Sequence, residues 1–348
     1  MALTVATAPT GNGSEALGPA LCPVSLILTV TRACNLRCSY CPTVKDGWPS
    51  LSEDDARQSI NLFADRYGGG NVKIFGGEPL LVPDVVRAAL GEADGRPEIK
   101  RVYLSTNGLG LTEEWLQTVR SLPKVVLTIS LDGKPDDHRR YRRALPGVPD
   151  ALDHVLSLQE ALLRTPRVVI TQTIPPATAS RAAENFAWLR SLGFWRFNLL
   201  PGYYIPWKPG QVEQLAAGFD GIEAEIRGAW DSGERLYLRN LFTRAPTPFF
   251  NTGLVVDADR TIHPSNVGLS GQLDGLRGKT QVGTLDDPPT AEELAARTAE
   301  VNGLLEAALP ERVWASTLAV DKLLTRLCRN LYPAYFEQRE RHRNGSAA

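Results

Sequence analysis

The sequence predicts an α/β protein in which βα units repeat around a parallel sheet, and three observations predict it. Short β-branched runs alternate with amphipathic helical stretches from Ser25 to about Leu200. Turn-forming residues such as Gly68-Gly69-Gly70, Asn107-Gly108 and Asp132-Gly133 bound these runs. The chain has 348 residues and 43% hydrophobic content, enough to bury a full core.

Residues 1–24 are rich in Ala, Gly, Thr and Pro and lack a basic segment followed by an apolar one, so a mobile tail is expected rather than a signal peptide. Six strands follow, at residues 25–31, 72–75, 101–104, 125–130, 167–173 and 195–200. Ser52 can cap the first helix, with Asp55 three residues on as an acidic variant of the capping box. The apolar period of residues 180–192 is helical and ends at Gly193. The expected division is a βα unit over 25–205 and a C-terminal cap over 206–348. The cap opens with a Tyr-, Trp- and Pro-rich loop and a helix near 212–227. A hairpin over 253–265 and helices at 290–309 and 311–341 complete it.

Charge and hydropathy exclude several classes of function. The net charge is −1 with 22% charged residues, which gives no field to draw in nucleic acid or an anionic membrane. The apolar runs fall far short of the ~20 residues that a membrane span needs, so a cytoplasmic protein is expected. Of five cysteines, Cys34, Cys38 and Cys41 crowd one short loop after the first strand. That is poor geometry for a disulfide framework and good geometry for a metal site in a reducing compartment. Three thiolates leave one metal position open, whereas structural sites are normally closed by four ligands. A zinc site completed by a distant His138 or His263 is the alternative reading of the spacing alone.

The C-x3-C-x2-C run, followed by Gly76-Gly77-Glu78-Pro79 at the end of the second strand, resembles the radical SAM superfamily. That resemblance implies a partial (β/α)6 parallel barrel whose three cysteines hold one 4Fe-4S cluster. S-adenosylmethionine would chelate the open iron and be cleaved reductively to a 5′-deoxyadenosyl radical that takes hydrogen from a substrate. Glu78 or its backbone neighbours would receive the α-ammonium of that cofactor, the glycines allowing close backbone approach. Tyr40 matches the position that contacts adenine, and Leu200 one that packs near it. Ser105 and Asn107 at the end of the third strand are further ligand candidates, with turn chemistry as the alternative. The stretch from Ser130 to Arg142 resembles peptide-modifying members of the family, including sulfatase maturases. It implies Ser130 and Arg142 at the ribose and carboxylate of the cofactor, a role that the guanidinium fork suits and that Arg139, Arg140 or Arg143 could also fill.

The hairpin resembles the opening of the SPASM or twitch domain, which elsewhere holds auxiliary clusters, but Ser265 stands where its first cysteine should be. Cys22 and Cys328 alone cannot supply such a cluster and read as small buried hydrophobes, so a degenerate cap without metal is expected. Tyr203 and Tyr204 are candidates for an aromatic substrate cleft, with plain packing as the alternative. The expected substrate is a ribosomally made peptide or protein side chain, and the alternative is a small metabolite. A non-catalytic iron-sulfur or zinc protein is a third reading. Flavodoxin or ferredoxin is the expected electron donor.

Overall fold

A computed structural model describes residues 25–243 and 252–345. The expected tail over 1–24, with Cys22, lies outside the described residues. Six parallel strands form the centre: β1 (Ser25–Thr31), β2 (Gly70–Gly76), β3 (Ile99–Thr106), β4 (Val125–Ser130), β5 (Val168–Ile174) and β6 (Arg196–Pro201). Helices on the outer face cover them, as a parallel sheet requires. The first of these, Glu53–Tyr67, starts where expected. Ser52 Oγ accepts from the Asp55 N–H, and the Asp55 carboxylate accepts from the Ser52 N–H at 2.9 Å.

Alternation along the strands sorts residues between two environments. Val72, Ile74, Val102, Leu104, Leu127 and Ile129 are buried in the core. The residues between them, Lys73, Tyr103, Ser105, Thr128 and Ser130, face a cavity enclosed by the curved sheet. The barrel interior is thus a mainly apolar cavity that carries a few placed polar groups, which makes it a site rather than a second core.

Sheet pairing continues past residue 205 in both directions. Tyr237–Leu238 (β7) adds parallel to β6. On the other edge Thr252–Val256 (β8) pairs parallel with β1, Leu26 opposite Leu254, and Thr261–Ser265 (β9) and Gly283–Thr284 (β10) follow antiparallel. The hairpin expected as part of the C-terminal cap is thus joined edge to edge with the barrel sheet, and β1 becomes an interior strand. This is why all seven of its residues are buried. A short ribbon, Leu36–Cys38 against Arg142–Ala144, was not expected from sequence and pairs Cys38 with Arg142.

Helices Pro209–Asp231 and Glu311–Gly345 pack against each other, and the second walls the cavity. No helix among the described residues is long and apolar enough to cross a membrane.

Candidate functional site

The loop after β1 is anchored before it reaches its first thiol. Arg32 is fully buried, pairs with Asp257 in the hairpin turn, and lies 3.6 Å over the Trp48 ring. Cys34, Cys38 and Cys41 then line one cavity of about 910 Å³. The Leu36 N–H donates to Cys34 Sγ at 3.4 Å and Lys45 Nζ to Cys41 Sγ at 3.3 Å. Burial raises the Cys34 thiol, and pushes Cys38 up to about 11 against the pull of Arg142. A metal bound here must displace those protons, because the ligand is the thiolate. Among the described residues no three His, Cys, Asp or Glu side chains gather round a single ion. Three sulfurs on one cavity wall fit a 4Fe-4S cluster, which takes one thiolate per iron and leaves the fourth iron open.

Neither histidine considered as a fourth ligand is at hand. His138 is buried with Nδ1 accepting from the Asp132 N–H at 3.3 Å, and His263 lies between Thr261 and Thr280. Neither lines the cavity. That corrects the zinc alternative by position.

Gly76 and Gly77 line the cavity, but their need for glycine comes from the end of β1 and the loop that follows it. A Cβ on Gly76, at φ +147°, would fall 2.0 Å from the Thr31 carbonyl oxygen, and one on Gly77 would fall 2.2 Å from that of Ala33. The Gly77 and Glu78 N–H groups donate to Thr31 and Ala33 at 2.9 and 2.8 Å. Glu78 departs from its expected role. Its carboxylate accepts from the Leu80 N–H at 3.0 Å, Thr106 Oγ1 at 2.7 Å and the Asn107 N–H at 2.7 Å, and it is not among the cavity-lining groups. Burial raises its pKa while those three donors oppose the rise. Glu78 therefore positions the glycine loop against the end of β3, leaving the backbone neighbours as the cofactor candidates.

The strand ends converge. Ser105, Asn107, Ser130, Leu200, Tyr40 and Arg142 all line the cavity that the thiols line. Asn107 Nδ2 also donates to Asn35 Oδ1 at 2.7 Å, tying the end of β3 to the cysteine loop. Arg142 Nε lies 3.0 Å from Asp132 Oδ2, and its guanidinium carbon lies 5.4 Å from the centre of the Tyr40 ring. Tyr40 donates its hydroxyl to the same Asp132 carboxylate, whose other oxygen accepts from the Thr173 N–H at 3.1 Å. Burial works against the Arg142 charge, but Asp132 and Tyr40 outweigh it and its pKa is raised. Burial likewise raises the Tyr40 phenol well above its ordinary value. Asp132 is the residue that sequence reasoning missed. Its position before Gly133 reads as turn chemistry, whereas it orients two cofactor candidates at once. The alternatives to Arg142 point elsewhere: Arg139 pairs with Asp150 and Asp153, and Arg140 and Arg143 are exposed.

The two tyrosines part company. Tyr203 lines the cavity and donates to Asp321 Oδ1 at 3.1 Å on the long helix. Tyr204, at φ 59°, turns away and packs with Val267, Leu305 and Val313, which corrects its reading as a cleft residue. Cys328 is half-buried on the cavity wall, and burial pushes it up to about 12. Ser265 is buried at the end of β9, and Asn266 beside it reaches the cavity.

Residues 28–184 match the Radical SAM superfamily. The sporulation killing factor maturation protein SkfB of Bacillus subtilis is 27% identical over 169 residues, 47% of this chain and 38% of that protein. A GTP 3′,8-cyclase of Limosilactobacillus fermentum is 38% identical over 125 residues, 33% of this chain and 36% of that protein. The chain thus spans less than half the length of these curated relatives. Among solved structures, native anSMEcpe with bound AdoMet and Cp18Cys peptide superposes with a TM-score of 0.64 at 18% identity, covering 80% of this chain and 82% of that one. At that identity the likeness is one of fold.

Proposed function

With residues 28–184 a radical SAM domain, we propose that the chain is an enzyme that cleaves S-adenosylmethionine reductively and directs the resulting radical at a peptide. Cys34, Cys38 and Cys41 would hold one 4Fe-4S cluster. The observation that carries this reading is the single cavity in which those thiols meet Tyr40, Ser105, Asn107, Ser130, Arg142 and Leu200. When bound, the cluster supplies a low-potential electron and one open coordination position. The protein's own residues bind, orient and exclude water. Arg142, held in place by Asp132, offers a guanidinium to a carboxylate, and the Gly76-Gly77 backbone offers carbonyl oxygens to an ammonium. Tyr40 and Leu200 form apolar walls suited to an adenine ring, with Ser130 available to a ribose hydroxyl.

The ligand count supports one cluster per chain: Ser265 stands where the resemblance places the first auxiliary cysteine, and Cys328 is the one cysteine outside the loop among the described residues. A flavodoxin or ferredoxin is the proposed electron donor and the cytoplasm the proposed compartment. A peptide substrate is supported by the name of SkfB as a maturation protein and by the peptide-bound structure that shares this fold. The second reading, a small metabolite, is favoured by the identity with GTP 3′,8-cyclase.

The test is anaerobic reconstitution with iron and sulfide, dithionite reduction and quantitation of 5′-deoxyadenosine from S-adenosylmethionine. Release from the wild type and none from the Cys34→Ala, Cys38→Ala, Cys41→Ala triple variant is expected. Equal release from both would sink the assignment.

A further inference from the structure

The cavity does not end at the ring of cofactor candidates. It continues into the barrel, where the inward residues are hydroxyls and amides from Thr128, Thr171 and Asn198 together with two cations, Lys73 and Arg239. β7 extends the sheet edge beyond β6, and Arg239, the next residue, lines the cavity with its guanidinium carbon 4.1 Å from the centre of the Tyr103 ring. It forms no ion pair with any described residue. Burial lowers the Arg239 pKa, and burial together with Arg239 lowers Lys73 to about 8. Asp321, the one acid that lines the cavity among the described residues, sits on the long helix and already accepts from Tyr203. A second observation is independent of charge. Thr128 Oγ1 is buried and lacks a hydrogen-bond partner in the protein, and its side chain lines this same interior. A buried hydroxyl without a partner costs free energy unless a ligand or water completes it.

We infer that Arg239 and Thr128 form a subsite inside the barrel for a carboxylate of the substrate, which holds the reacting carbon between that anchor and the cluster loop. The inference rests on the enzyme reading above and deepens it by naming the substrate's anionic group. A carboxylate fits better than a polyphosphate. Arg239 offers one planar guanidinium fork and Thr128 one hydroxyl, which match a single negative charge. In a peptide that charge comes from an Asp or Glu side chain or from the chain end.

Binding to the anaerobic holoenzyme with S-adenosylmethionine, followed by saturation-transfer NMR, separates these sources. The probes are N-acetylglutamate methylamide with a side-chain carboxylate, N-acetylglutamine with a chain-end carboxylate, the neutral N-acetylglutamine methylamide, and inorganic phosphate. One carboxylate probe is expected to bind about tenfold or more tighter than the neutral amide, as a charged hydrogen bond implies. Arg239→Gln should remove that preference, and Thr128→Val, which changes shape little, should weaken it about threefold or more. Equal binding of the neutral amide, a preference that survives both substitutions, or tighter binding of phosphate would each overturn the inference. Release of 5′-deoxyadenosine in the same wild-type preparation tests the enzyme reading separately. If cleavage proceeds while the probes fail, only the subsite falls.

Discussion

Replacing Asp257 by alanine should destabilise the protein far more than a surface carboxylate would. Arg32 has a side chain 0% exposed and Asp257 one 5% exposed, so the pair is desolvated on both sides. The same carboxylate lies 3.7 Å from Arg277 Nε, and the Arg32 and Arg277 guanidinium carbons lie 3.6 and 4.7 Å from the Trp48 ring. Truncation therefore leaves a fully buried cation with only an indole face for company. Breaking a buried pair in this way costs ~3–5 kcal/mol, and the nearby Arg277 charge places Asp257→Ala toward the upper end. Urea denaturation of the apoprotein measures it. Glu300→Ala, which breaks the exposed pair with Arg297, should cost less than ~1 kcal/mol. The double variant Arg32→Met, Asp257→Leu should recover most of the loss, because an apolar pair of similar volume leaves no charge stranded. Since Arg32 lies two residues before Cys34, the single variant should also take up less iron on reconstitution. A cost below ~1 kcal/mol for Asp257→Ala, or a double variant worse than the single, would refute the reasoning.

Three further outcomes are expected. His138 is held neutral by burial at about 4 against an ordinary 6.5, so protonation favours the unfolded chain. Its contribution is whole above pH 6.5 and about 3 kcal/mol is lost as pH falls through 4; His138→Asn should flatten the stability profile over that interval, and parallel profiles would contradict it. Glu78→Gln sets an amide donor against Thr106 or the Asn107 N–H and should cost ~1.5–3 kcal/mol, read as a lower melting temperature even without cofactor. An unchanged melting temperature would return Glu78 to a purely ligand-facing role. Arg142→Ala should weaken S-adenosylmethionine binding about ten- to a hundredfold in equilibrium dialysis while cluster content holds, and unchanged affinity would remove Arg142 from the site.

Local chemistry was legible in the sequence; long-range placement was not. The six barrel strands announce themselves because β-branched runs alternate with capped helices, and Ser52 with Asp55 closes a capping box that depends only on neighbours. The thiols are legible from spacing. The pairing of β8 with β1 is not, since the apolar run Leu254-Val255-Val256 suits any sheet edge and its partner lies more than two hundred residues upstream. Glu78 misled because a carboxylate beside two glycines looks like a ligand, and its partners Thr106 and Asn107 come from another strand. Lys73 between Val72 and Ile74 reads as a solvated lysine on an alternating strand, yet the curved sheet turns that face inward. Tyr203 and Tyr204 differ only in a backbone turn at φ 59°, which residue type does not encode for a tyrosine.

The most direct test of the central claim is electron paramagnetic resonance of the reduced, reconstituted protein with and without S-adenosylmethionine, alongside iron analysis. Three cysteines holding one cluster with an open iron predict about four iron atoms per chain, and a cluster signal that shifts when the cofactor binds. The triple cysteine variant should hold essentially no iron. A signal indifferent to S-adenosylmethionine, or iron retained in the triple variant, would contradict the account.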